Sequence, residues 1–345
     1  LRFGHLASLL PLVCAGLAFA LAPIAHALDV ELESPPAVAE VAVFYYPWYG
    51  IPTRDGTYRH WGQNGYEPPD RIASTFFPAR GLYSSSSAAV LRRHMEDLVA
   101  AHATTVVISW WGPGSVEDVR LQGVVAAVRA HGLRAALHVE PYEGRTPGNL
   151  VAELERLRPL GISDAYVYDP SLSPDEEWRA ANERLGEMRV FAQTSLPGRA
   201  AAGGFDGLYT YDVLTLDGSS FGRMCEAARQ LDLLCAPSVG PGYDARRATG
   251  DQRIRPREDG ATYDRMWRAA VSSGADLVTV TSYNEWHEGT QIEPARRQRN
   301  YRCYEGAWGR RGSSAETAYL ARTATWVARY AERLTQNSAV ASLRR

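Results

Sequence analysis

The 345-residue chain contains no lysine, so all 37 of its basic side chains are arginines, set against 39 aspartates and glutamates. That substitution reflects the codon usage of a GC-rich genome and carries no information about a site. The formal charge of -2 lacks the basic excess that nucleic-acid or polyanion binding requires. Cysteine is scarce, with four in all, and none is spaced as a metal cluster. Long uninterrupted apolar runs are missing too. The most apolar stretch, near the N-terminus, is broken by Pro23 and is short for a bilayer span of about 20 residues. No glycine-rich phosphate loop follows the first apolar run, and no linker or low-complexity segment divides the chain.

What is present begins with an export pattern. Residues 1–27 combine an early arginine, an apolar stretch and the small-x-small ending Ala25-His26-Ala27, which together predict a cleaved secretory signal. The mature protein is expected to start near Leu28, to be released or periplasmic, and to carry no membrane span. Apolar residues continue past Cys14, which argues against a lipid-modified cysteine there. Cys225, Cys235 and Cys303 then remain, enough for one internal disulfide at most. Cys235 lies in an apolar run and reads as a buried small hydrophobe.

After a linker at 28–40, short β-branched runs alternate with longer amphipathic stretches. Strands are predicted in "VAVFYY" from Val41, "TTVVISWW" from Thr104, "LRAALHVE" from Leu133 and "DAYVYD" from Asp164. Four more follow in "RVFAQTS" from Arg189, "FDGLYTY" from Phe205, "LLCAPSV" from Leu233 and "DLVTVTS" from Asp276. Helical stretches such as "SAAVLRRHMEDLVAAH" and "ATYDRMWRAAVSSGA" lie between them. Eight strand-then-helix units in a chain of this length predict an α/β protein, a single-domain (β/α)8 TIM barrel over 41–335, with a frayed tail at 336–345. An open doubly wound sheet shares the local alternation, but the strand count and the missing phosphate loop favour the barrel.

Barrel active sites gather at the C-terminal ends of the strands, and those ends are heavily loaded here. They read "FYYPWYG", "SWWG", "HVEPYEG", "YTYD", "SVGPGY" and, after the eighth strand, "SYNEWHEGTQIEPA". Converging aromatic rings and carboxylates suit a sugar, whose faces stack on rings and whose hydroxyls need fixed partners. Glu285 and Glu288 stand three apart, close enough to share one side of a turn. Two such acids can divide the work of proton donor and base, because neighbouring carboxylates split their pKa values. "EWHEG" lacks the second histidine that a zinc-protease motif needs, and no metal or organic cofactor is expected. Glu140, at the end of the third strand, is either a hydroxyl acceptor or an ion-pair partner.

"FYYPWYG" with "HW" downstream, "SWWG", "EPY", "GFDGLYTY", "SVGPGY" and "NEWHEGTQIEPA", in that order from Val41 to Ala295, resemble glycoside hydrolase family 99, the endo-α-1,2-mannosidases and related endomannanases. The resemblance implies an endo-acting hydrolase of α-mannosidic linkages in mannan-like or high-mannose glycans. It implies Glu285 as the base that takes the proton of the sugar's own 2-hydroxyl, giving a 1,2-anhydro sugar, and Glu288 as the acid that protonates the leaving oxygen, with overall retention. It also implies hydroxyl contacts from Tyr46, His60, Glu140, Tyr209 and Tyr211, a stacking platform at Trp111, a contact at Trp286, and a basic contact from Arg255 or Arg257. Of the adjacent Tyr45 and Tyr46 only one can face inward. Tryptophan at 111 resembles the bacterial members and favours a mannose neighbour. The substrate partner expected is a mannose-containing oligo- or polysaccharide, acted on by a monomer. Two rivals stay open: a non-catalytic carbohydrate-binding barrel, against which the two glutamates argue, and a hydrolase of another bacterial surface polysaccharide.

Overall fold

Valine, isoleucine and aromatic residues set off by Gly, Pro and Asp dictate the strands, and the strands dictate a barrel. The computed structural model describes residues 39–342. The signal segment expected at 1–27 and most of the linker lie outside the described residues. Strands β1 (Val41–Tyr45), β2 (Thr105–Trp110), β3 (Arg134–Val139), β4 (Ile162–Val167), β5 (Arg189–Gln193) and β6 (Gly207–Tyr209) pair in sequence order, each parallel to the next. Almost every residue in them is buried, because a parallel sheet wrapped in helices has no wet face.

The seventh stave is split. β7 (Leu234–Ala236) pairs with β6, Pro237 interrupts, and β8 (Ser238–Val239) pairs with the last strand instead. Proline has no N–H for a ladder, so the strand changes neighbours there. An antiparallel hairpin of β9 (Tyr243–Asp244) and β10 (Ile254–Arg255) follows, and β11 (Val278–Val280) returns beside β1 to close the circuit. All eight expected strand regions are therefore present, in a nearly closed (β/α)8 barrel.

The helices between strands show the expected logic of stripe and cap. Ala88–Ala100 buries Leu91, His94, Met95 and Leu98, a single stripe at helical spacing. Val116–Ala130 starts at Ser115, whose hydroxyl accepts from Asp118 N–H, and Pro147–Leu157 starts at Thr146, whose hydroxyl accepts from Asn149 N–H; caps of this kind are worth about 1 kcal/mol each. The final helix runs Ala318–Ser342, continuing through positions where fraying was expected. At the bottom of the barrel, Arg189 pairs with both Asp164 and Glu40. Above them Phe44, His138, Tyr166 and Tyr209 fill the interior, with ring centres 4.7–5.9 Å apart. This aromatic layer forms the floor on which the upper face rests.

One cysteine expectation is corrected. Cys235 is not a free apolar residue but is disulfide-bonded to Cys225 on the helix Phe221–Arg229, with Cα atoms 5.2 Å apart, and among the described residues Cys303 is the free thiol. A helix and the strand that follows it bring the two thiols together across a separation of 10 residues. Closing so short a loop stabilises by about 2–3 kcal/mol. Cys225→Ser is therefore expected to lower the melting temperature by a few degrees, and dithiothreitol is expected to lower that of the parent but not of the variant.

Candidate active site

The segment after β11 folds back across the barrel mouth and is fixed by side chains from distant parts of the sequence. The Asn284 amide oxygen accepts the N–H of Tyr46 at 2.7 Å, and its NH2 donates to the Tyr46 carbonyl at 2.9 Å. The Tyr49 hydroxyl donates to the Asn284 carbonyl at 3.0 Å and accepts the Trp286 N–H at 3.1 Å. The Trp286 indole N–H and the Tyr83 hydroxyl both donate to Glu293 Oε2, at 2.8 and 2.7 Å. From the outside, Arg257 donates to the carbonyls of Gly289 and Gln291, at 2.9 and 2.6 Å.

Glu285 sits within this framework, only 3% exposed. Its Oε1 accepts the His287 N–H at 2.9 Å, and its own N–H donates to Ser282 Oγ at 2.8 Å. Glu288 faces a cavity of about 200 Å³, shared with Tyr168, Tyr211, Asp212, Tyr243 and Arg253. The Tyr211 hydroxyl is hydrogen-bonded to that of Tyr46, so the strand ends of β1 and β6 meet at the cavity. Tyr46 is thus the inward member of the tyrosine pair, while Tyr45 points outward and bonds His94 Nδ1 at 3.0 Å. On the other side, Glu140 Oε1 accepts from Ser109 Oγ at 2.8 Å and lies 2.9 Å from His138 Nδ1. The far nitrogen of His138 bonds the Tyr209 hydroxyl at 2.9 Å.

The acids perturb one another. Burial, then the Glu288 charge, pushes the Glu285 carboxyl well above the usual range, and the N–H groups of His287 and Glu288 pull it partly back. Burial, then Glu140 and Asp212, pushes Glu288 up to about 7. The backbone N–H groups that favour an anion reach Glu285, while Glu288 faces the cavity, so the two acids sit in unequal surroundings. Burial raises the Tyr46 and Tyr211 phenols far above their ordinary values, with carboxylates adding to the effect. Both therefore stay neutral and can donate. Burial holds His287 down to about 4, so the imidazole is uncharged at neutral pH.

The structure brings most of the expected site together. His60 is at the rim, its ring flat on Trp48 with centres 4.1 Å apart and 5.6 Å from the His287 ring. Trp111 is 39% exposed at the end of β2, free to stack on a ligand. Four expected contacts lie elsewhere. Trp286 is fully buried, because its indole N–H is committed to Glu293. Tyr209 is fully buried in the floor, two residues below the mouth, with its hydroxyl on His138. Arg257 lies behind the loop against the rings of Phe76, Tyr304 and Tyr319, at 4.5–4.9 Å, and Arg255 donates to the Leu214 carbonyl at 2.7 Å. These side chains shape the site without lining it. Tyr168, Asp212, Tyr243 and Arg253 line the cavity without having been singled out. The first three were signalled by their position at or just past strand ends, whereas nothing local marked Arg253.

The family model described as Glycosyl hydrolase family 99 matches residues 37–332. The glycoprotein endo-alpha-1,2-mannosidase-like protein of Danio rerio is 32% identical over 316 residues, covering 74% of this chain and 71% of that protein. The glycoprotein endo-alpha-1,2-mannosidase of Rattus norvegicus is 28% identical over 330 residues, covering 78% and 71%. Among solved structures, the GH99 endo-alpha-mannosidase from Bacteroides thetaiotaomicron superimposes with a TM-score of 0.75 at 29% identity, covering 85% of this chain and 98% of that one.

The raised carboxyl of Glu288 has a direct consequence for stability. A carboxyl whose folded pKa lies above its unfolded value binds its proton more tightly when folded, so folding loses free energy as pH climbs from about 4.3 toward 7, and the whole penalty is present above that. Glu288→Gln removes it. The variant is expected to be more stable than the parent by about 1–3 kcal/mol at pH 8, with the difference shrinking toward pH 4, as read by thermal unfolding at both pH values.

Proposed function

Because the chain belongs to glycosyl hydrolase family 99 and is a glycoside hydrolase, we propose that it cleaves α-mannosidic linkages inside mannan-like or high-mannose glycans, with retention and through a 1,2-anhydro sugar. The observation that carries this reading is the unequal setting of the two acids. Glu285 accepts the His287 N–H, whereas Glu288 faces the cavity with its carboxyl pushed up to about 7 by burial, then Glu140 and Asp212. The names of the relatives support the linkage and the endo mode.

In the first step Glu285 takes the proton of the mannosyl 2-hydroxyl as O2 bonds to C1. The bond from C1 to the leaving oxygen breaks, and Glu288 gives that oxygen its proton. In the second step Glu288 takes a proton from water, whose oxygen bonds to C1 as the C1–O2 bond opens, and O2 recovers its proton from Glu285. Two inversions at C1 give retention. The axial 2-hydroxyl of mannose lies trans to an axial leaving group, the geometry that ring closure needs, which favours α-mannosides over α-glucosides. Tyr46, Tyr211 and Glu140 serve as partners for ring hydroxyls, His60 and Trp111 border the approach, and neutral Tyr donors match a substrate rich in acceptors. Action as a monomer is part of the same reading, and the pattern ending at Ala27 fits export.

Glu285→Gln and Glu288→Gln are each expected to lower kcat on α-mannan by about a thousandfold or more, measured as new reducing ends, with the fold intact by circular dichroism. In the parent, kcat/KM is expected to fall as pH rises past about 7, as Glu288 loses its proton. A substrate methylated on the 2-hydroxyl of the cleaved mannose is expected to bind and stay uncut; its cleavage at the parent rate would rule out the anhydro route.

A further inference from the structure

Behind the hairpin β9–β10 lies a second concavity that the catalytic scheme does not use. It is a groove of about 470 Å³ lined by Arg246, Arg247 and Arg302 with Tyr66, Asn300 and Tyr301. Arg246 grips Asp244 with two nitrogens, each at 2.8 Å, and Arg302 approaches the same carboxylate at 3.4 Å. Asp244 is buried, but the guanidinium side chains of Arg246 and Arg302 remain 37% and 51% exposed. Arg247 lies over the rings of Tyr66 and Tyr301, at 5.4 and 4.5 Å, and donates to the carbonyls of Ser74 and Asn300, which carry no charge. Among the described residues, Asp244 is the one carboxylate ion-paired with these guanidiniums. Three cations thus face one anion on a wall stiffened by aromatic stacking, and the near-neutral total charge of the chain conceals this local surplus.

The groove adjoins the catalytic cavity. Tyr243 lines the cavity and Arg246 lines the groove, so the two sit within three residues of chain, at most about 11 Å of extended backbone. The connection is also physical: the Asp244 N–H donates to the Glu288 carbonyl at 2.7 Å. A planar guanidinium offers paired N–H donors that match two oxygens of a phosphate or sulfate, and exposed arginines beside a buried, already satisfied carboxylate keep donors to spare.

We propose that this groove binds a tetrahedral oxyanion, phosphate or sulfate, carried as an ester on the same glycan whose mannosyl linkage occupies the cavity. The oxyanion chemistry stands on the arginines alone, while its attachment to a glycan rests on the function proposed above. An anionic substituent seated here would anchor a decorated chain beside the reacting linkage and make such chains preferred substrates.

Calorimetric titration of the full-length protein with inorganic phosphate at low ionic strength tests the groove directly. Saturable binding is expected, weakened about tenfold or more by Arg302→Gln, the loss of one charge-assisted contact, and less by Arg302→Lys, which keeps the charge but not the fork. Melting curves establish that each variant is folded. The ratio of kcat/KM on phosphorylated to neutral mannan of equal length is expected to exceed one in the parent and to fall toward one in Arg302→Gln. Absence of phosphate binding, or equal binding in parent and Arg302→Gln, overturns the site. Phosphate binding with no preference for phosphorylated mannan overturns the glycan-borne source and assigns the groove to free phosphate. Failure of the parent to cut any mannan would count against the proposed function, and calorimetry would still report on the groove.

Discussion

The reciprocal exchange between the Asn284 side chain and the backbone of Tyr46 is the constraint on which the site depends. It joins the loop after the last strand to the end of the first with one donor and one acceptor on a single planar amide. Neither aspartate nor leucine can do this, since the first has no donor and the second has neither group. Both backbone groups of Tyr46 are buried, so losing their partner would leave two unsatisfied polar atoms, at about 1–3 kcal/mol each. The consequence is registry. Glu285 follows Asn284 directly, and the phenol of Tyr46 reaches the cavity through Tyr211, so one amide sets the Glu285 carboxyl and a hydroxyl relative to each other. Trp286, Tyr49 and Arg257 then hold the remainder of the loop.

Around that frame, Glu140, Glu285, Glu288 and Asp212 crowd one mouth. No stability argument would place them there, because burial and neighbouring charge, Glu140 and Asp212 included, push the carboxyls of Glu285 and Glu288 up. The arginine that lines the cavity, Arg253, is taken up by Asp251. Crowded carboxylates of this kind are characteristic of functional sites, because neighbouring acids shift one another's proton affinity. From the aromatic floor beneath, His138 reaches Glu140 at 2.9 Å.

Much of this was legible from the residues alone, and the exceptions share a cause. The strands and their loaded ends follow from short β-branched runs set between helical stretches and from the location of barrel active sites, which is why Glu140, Glu285, Glu288, Tyr211 and Trp111 fall at strand ends. Depth along a strand has no such signature. Tyr209 and Tyr211 point the same way by alternation, yet only the upper one reaches the cavity. Trp286 belongs to a loop without periodicity, and its inward turn depends on Glu293 in the return segment. Arg257 is fixed by rings from Phe76, Tyr304 and Tyr319, far apart in sequence. Arg253 comes from a hairpin whose strands have two residues each, too few to betray a pattern. Cys225 and Cys235 meet only after helix and strand have packed.

Pro237 leaves a lasting mark on the barrel. Below it the seventh stave is stitched to β6, and above it to β11, so no unbroken ladder runs the full height of the wall on that side. Hydroxyls fill in where amides are absent: Ser238 accepts from the Tyr211 N–H, and Thr210 accepts from the Ser238 N–H. One seam of the wall is thus laced by side chains, and it runs up to the lip beside Tyr211 and Glu288. The circumference of the barrel is therefore carried by two kinds of bonding, main-chain ladders of four to six paired residues from β1 to β5 and hydroxyl bridges at the Pro237 seam.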